Sequence, residues 1–216
     1  MASSRFKTAS RLASFSSADG FMTSSHFEKM NSPQKEFLMA IGECLTTWAT
    51  VELYLSMLFS QITGMKNLIG FAVWDSVISF EAKLNALNAA FNIAIQDDDL
   101  KSIWGELGNR ISKKHKKRNE IVHSTLVNVD NVSKLVPYFV IGKQAKNGLS
   151  PKEIVERTQS FQELAAAIYW FIQRAAFLKE GVPKVPLQAP DLILRLQTKV
   201  AQTHAKTLPP LQSSKD

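Results

Sequence analysis

Leu38, Ile41, Leu45, Trp48, Glu52, Leu55, Phe59 and Ile62 recur at alternating steps of three and four residues. That spacing keeps one face of an α-helix apolar over about seven turns. A helix of that length commits the chain to a helical bundle, because its stripe must be covered by other elements. Asn31-Ser32-Pro33 opens it, with Ser32 expected to cap and Pro33 to occupy the first helical position. Gly64 stands at its end. Glu52 is the one member of the stripe that an apolar core would not choose.

A second helix is expected from Asn67 to Ser79, apolar nearly all round and therefore well covered by its neighbours. A third starts near Phe80, with Leu84, Leu87, Phe91 and Ile95 as its seam. Gln96 and the acids Asp97, Asp98 and Asp99 end it and open the fourth, since negative charge favours a helix N-terminus. That fourth helix is expected to run from about Asp98 to Leu126 on the seam Leu100, Ile103, Leu107 and Ile111. The period then changes towards two, and Leu126–Val129 with Leu135–Ile141 reads as a short β-hairpin around Asp130-Asn131. Pro137 argues for an edge strand, and Gln144 to Leu149 reads as a polar turn. Ser150-Pro151-Lys152-Glu153 is a capping box, opening a fifth helix with Ile154, Phe161, Leu164, Ile168, Phe171, Ala175 and Leu178 on one side. The fold class is all-α: a bundle of four to five helices, with a hairpin after the fourth. Its expected extent is residues 32–180. Residues 1–31 read as a disordered Ser-rich tail, and residues 181–216 as a Pro-containing linker and tail in which Ala189 to Ala201 could form a last short helix.

The net charge of +7 is spread unevenly. Residues 1–30 contribute +2 and residues 181–216 contribute +3, which leaves +2 for the stretch between them. Inside that balanced stretch, Arg110, Lys113, Lys114, Lys116, Lys117 and Arg118 fall close together with no acid among them. Such a run is either a solvated face or a patch that attracts phosphate; the residues just beyond it favour the patch. The single cysteine, Cys44, lies in an apolar stretch and reads as a buried thiol, so no internal disulfide forms. No run has the apolar length of a membrane span, and the N-terminal segment lacks the apolar face of a transit peptide, so a cytoplasmic protein is expected. No Gly-rich phosphate loop occurs, nor any His/Cys/Asp group at metal-ligand spacing, so neither a cofactor nor a metal is expected.

The chemistry concentrates after the basic run, in Arg118-Asn119-Glu120-Ile121-Val122-His123. Continued at the helical turn angle, the seam passes through Arg118, Val122 and Thr125, while Asn119 and His123 share an adjoining flank one turn apart. Arg118 thus stands where a leucine would ordinarily go, which costs stability unless a carboxylate or phosphate satisfies it. An imidazole exchanges a proton near neutral pH, a guanidinium grips a phosphate with two hydrogen bonds, and an amide orients either partner. Together they suffice for metal-free RNA cleavage. A base activates the 2′-hydroxyl, a cation stabilises the charged phosphorus centre, and an acid protonates the departing 5′-oxygen.

This segment resembles the R-x(4–6)-H motif of the HEPN domain superfamily, including the polar residue directly after the arginine. The likeness implies an all-α bundle and a homodimer whose two motifs meet to form one endoribonuclease site. It further implies Arg118, Asn119 and His123 as catalytic residues. Many members act as toxins beside a nucleotidyltransferase-type antitoxin, or in antiviral defence and stress responses. Glu52 lies outside the motif and is expected to support Arg118 as an ion-pair partner. Lys113, Lys114, Lys116 and Lys117 are expected to draw in the RNA backbone. The alternative is a non-catalytic RNA- or protein-binding module of the same fold, in which an Arg118–Glu52 pair simply locks the bundle. His115 is expected to be exposed within the basic run, His26 and His204 to be inert in the tails, and the four tryptophans to pack in the core.

Overall fold

The computed structural model of the protein describes residues 30–129, 132–137, 148–180 and 187–207. Six helices and one hairpin occupy them: α1 Ser32–Thr63, α2 Asn67–Ser76, α3 Phe80–Ala94, α4 Asp98–Val122, β1 Ser124–Val129, β2 Val132–Pro137, α5 Pro151–Glu180 and α6 Asp191–Thr207. The expected tail at 1–29, the hairpin tip Asp130-Asn131 and the linker at 181–186 lie outside the described residues, as do 138–147 and 208–216.

Helix α1 is the spine. Its cap is Asn31 rather than Ser32: the Asn31 Oδ1 accepts from the Gln34 backbone amide at 3.0 Å and Gln34 reciprocates to the Asn31 amide. A capping box one residue earlier is the stronger arrangement, because it satisfies two helix-end amides at once. Gly64 ends the helix at φ 73°, a left-handed conformation that costs glycine nothing. The buried line is Phe37, Cys44, Trp48, Val51, Leu55 and Leu58, flanked by the partly buried Ile41, Leu45 and Ile62. The core therefore meets α1 slightly around from the expected stripe. Cys44 is fully buried, and burial pushes its thiol above the ordinary range against a hydrogen bond with Thr158.

The most extensive helix pair is α1 with α5. Leu84, Leu87, Phe91 and Ile95 of α3 are buried as their spacing implies, and so are Leu100, Ile103, Leu107 and Ile111 of α4. Ile154, Phe161, Leu164, Ile168 and Phe171 of α5 close the core. Asp97, one of the three acids expected to open α4, caps it by accepting from the Leu100 amide at 2.9 Å, and Ser150 and Glu153 make the expected box that opens α5. The bundle also continues beyond residue 180. Leu192, Ile193, Leu196 and Val200 of α6 are buried against α4 and α5, and Lys199–Glu106 (2.5 Å) and Arg195–Glu163 (2.9 Å) pin its flanks.

Two expectations change. Helix α4 ends at Val122, not Leu126, and β1 starts at Ser124, paired antiparallel from Ser124↔Pro137 to Val129↔Val132. Thr125, Val127 and Val129 are β-branched and fit a pleated ladder better than a helix. Leu149 adds a short bridge to Leu135 on the other edge of β2, where the expected polar turn ends. Helix α2, expected to be covered, is largely bare. Only Gly70 and Trp74 are buried, whereas Leu68 is 84% exposed and Ile69 55%. One contact decides its seat: a Cβ at Gly70 would lie 2.0 Å from Ser60 Oγ and 2.7 Å from Ser60 Cβ on α1.

Two glycine substitutions should therefore have opposite signs in urea unfolding. Gly70→Ala must push α2 off α1 and is expected to cost about 1–3 kcal/mol. Gly105→Ala, on an exposed α4 face with no atom near the new Cβ, is expected to stabilise by up to about 1 kcal/mol.

Candidate functional site

Where α1, α3 and α4 converge, Glu52, Trp74, Ile78, Phe80, Lys83, His115 and Arg118 line a cleft of about 240 Å³. Trp48 packs behind two of these residues, Phe80 and His115. That indole is 1% exposed, packs edge-on to Phe161 of α5 at 4.9 Å, and lies 5.6 Å from Phe80 and 5.9 Å from His115. A buried indole N–H needs an acceptor, and Glu52, one turn on, supplies it at 2.5 Å. This is why a carboxylate sits on an apolar seam.

Arg118 enters the same cleft from α4, but the expected ion pair does not form: among the described residues, no salt bridge joins it to Glu52. Its one hydrogen bond is to the neighbouring Asn119, from Nη1 to Oδ1 at 3.1 Å. Its Nε is buried and has no hydrogen-bond partner among the described residues. A buried guanidinium N–H without an acceptor is costly and uncommon, and here it belongs to a side chain that lines an open cleft.

His115 is the residue that sequence reasoning undervalued. It is half-buried instead of exposed, stacked on Phe80 with ring centroids 4.1 Å apart and planes 14° apart. Burial, with Arg118 beside it, pushes the imidazole below its ordinary pKa of 6.5, while Glu52 and Glu81 oppose the shift. Lys83, which also borders the cleft, reaches Asp75 at 3.7 Å and lies 5.6 Å from the centre of the Trp74 ring.

His123 and Asn119 do not line this cleft. His123 is the exposed C-cap residue of α4, its backbone amide donating to the Asn119 carbonyl at 3.0 Å. Nor does the seam run through Val122 as expected: Ile121 is buried and Val122 is 41% exposed. The last turn of α4 is held from outside by Arg157 of α5, which donates to the Lys117 carbonyl and to Glu120 Oε2, each at 2.7 Å. No spacing rule links residues forty positions apart, so Arg157 left no signal in the sequence.

The basic run divides. Lys113 and Lys116 are exposed, as is Arg110; Lys117 is exposed and paired with Glu120 at 3.1 Å. Lys114 is half-buried towards α5, where burial pushes its ammonium pKa down and Glu163 opposes. Among the described residues, no three His, Cys, Asp or Glu side chains gather into a group that could hold a metal ion, and no helix is long and apolar enough to cross a membrane. No protein-family model, no curated protein and no solved structure matches this chain.

The His115 shift has a consequence for stability. The unfolded chain takes up the His115 proton at a higher pH than the folded chain. Stability from this group is therefore complete above the ordinary histidine value and declines as pH falls below it. Melting temperature is expected to drop for wild type between about pH 7.5 and about pH 5.5, and to drop less for His115→Phe. Equal drops would place the acid sensitivity elsewhere.

Proposed function

We propose that the protein is a HEPN-type, metal-independent endoribonuclease that cleaves RNA through its 2′-hydroxyl. Arg118 binds the scissile phosphate, His123 acts as general acid or base, and Asn119 orients them. The observation that carries this reading is Arg118 itself: a cation that makes no ion pair among the described residues and lines an open cleft. A phosphodiester supplies the countercharge that no described carboxylate gives. Glu52 supports the site through Trp48 and not through an ion pair. Lys113 and Lys116, with Lys114 and Lys117 beside them, attract the RNA backbone. The working form is a homodimer, which lets the exposed end of α4 bring His123 to a second subunit's site. A cytoplasmic toxin, or a defence or stress effector, restrained by a nucleotidyltransferase-type antitoxin, fits that chemistry.

RNA cleavage in excess chelator provides the test. Wild type is expected to leave 2′,3′-cyclic phosphate ends, and His123→Ala and Arg118→Ala to lose on the order of 10²–10⁴-fold in rate at unchanged melting temperature. The double variant Lys113→Ala/Lys116→Ala should weaken RNA binding uniformly across sequences and lower the salt slope by about 2. A folded wild type that binds RNA with this salt dependence yet cuts none of a broad panel would support the non-catalytic binding module instead.

A further inference from the structure

Arg118 has two histidines nearby in the sequence, and the fold brings it together with the one outside its motif. His115 stands about 60° around the helix from Arg118 and about 4.5 Å along the axis, whereas His123 stands about 140° around and about 7.5 Å along it, at the helix end. His115 and Arg118 share the cleft wall; His123 is not part of it.

We propose that His115 is a catalytic residue of this site, the general base that removes the 2′-hydroxyl proton while Arg118 of the same subunit holds the phosphate. The assignment rests on the ribonuclease reading above and adds to it a residue that the motif does not contain. In the step, the 2′-oxygen forms its bond to phosphorus as its proton passes to a ring nitrogen of His115. The bond from phosphorus to the 5′-oxygen breaks, and that oxygen leaves with a proton from His123 of a second copy. His115 then gives its proton to water and His123 takes one back from water, which restores both residues. The products are a 2′,3′-cyclic phosphate and a 5′-hydroxyl, and no electrons change hands.

Three features of the cleft suit this role. The Phe80 stack and the tilted Trp48 contact hold the ring, so little order remains to be gained when substrate binds. The charged groups around it are Glu52 from α1, Glu81 and Lys83 from α3, and Arg118 from its own helix. Burial and Arg118 together keep the imidazole neutral at neutral pH, the form in which it accepts a proton. Finally, Arg118, which makes no ion pair among the described residues, puts a phosphate-binding cation on the same wall.

A stacked histidine also occurs as plain packing, and His115→Phe separates the two roles because it keeps an aromatic ring against Phe80 and removes both nitrogens. The experiment measures single-turnover RNA cleavage against pH for wild type, His115→Phe and His123→Ala, with melting temperatures alongside. For wild type, the rate is expected to fall as pH drops through the lowered His115 pKa. His115→Phe is expected to melt like wild type near pH 7.5, lose on the order of 10²-fold or more in rate at saturating enzyme with the half-saturating concentration little changed, and lose that acidic limb. A second readout needs no turnover: a 2′-deoxy oligonucleotide, which cannot be cut, should shift the His115 ring resonances in NMR. If His115→Phe keeps its rate and limb while His123→Ala is dead, the ribonuclease reading stands and the His115 assignment is overturned. If wild type cuts no RNA, the ribonuclease reading fails, and the base assignment falls with it.

Discussion

The structure depends on how the bundle buries Trp48. Its ring touches the other three helices that matter here: α5 through Phe161, α3 through Phe80 and α4 through His115. Interiors pack at crystal-like density, so a side chain this large fixes the spacing of everything around it. Its one polar atom must be satisfied without water, and Glu52 does so from the next turn of the same helix. The carboxylate is thereby held half-buried at the edge of the core. The polar cleft is what remains where three helices converge on an indole that needs an acceptor.

That arrangement explains why Arg118 is not paired off. A guanidinium on a helix seam is expected to seek the nearest carboxylate, but Glu52 is engaged by Trp48, and Glu120 is engaged by Lys117 and Arg157. Among the described residues, Arg118 is left with Asn119 alone. Arg157 meanwhile fastens the end of α4 to α5 through the Lys117 carbonyl and the Glu120 carboxylate. The turn carrying Arg118 is therefore rigid at its backbone while one of its side-chain donors lacks an acceptor. Local over-determination around an unsatisfied polar group is how binding sites are commonly held ready.

What was legible in the sequence follows from the range of the interactions. The seams of α3 and α4, the Asp97 cap and the Ser150–Glu153 box depend on residues within a few positions of one another, and the spacing displayed them. The glutamate on the α1 stripe was visible as an anomaly, but its partner was misjudged: a long-range pair with Arg118 was expected where a one-turn bond to Trp48 forms. The end of α4 was misplaced because Val122 and Thr125 continue the helical period as well as they open a strand. Only the ladder with Val132–Pro137 decides between the two. His115 looked like one more member of a charged run, since its stacking partner lies on another helix. Helix α6 read as tail because the prolines before it suggested a boundary, yet its apolar face completes the core.

Helix α2 shows the limit of composition most clearly, and it bears on the site. A segment apolar nearly all round was expected to be buried, but only Gly70, against Ser60, and Trp74, against Phe59, are covered. Met65, Leu68, Ile69 and Val73 are consequently exposed, and the row continues through Ile78, which is fully exposed at the mouth of the cleft. Trp74 and Ile78 thus belong to the α2 region and to the lining of the cleft at once. Anything that covers this apolar face by burying its leucine and isoleucines also narrows the opening through which Arg118 and His115 are reached. Burial of the exposed apolar area and access to the charged cleft are therefore coupled by shared residues, and assembly on α2 cannot leave the site unchanged.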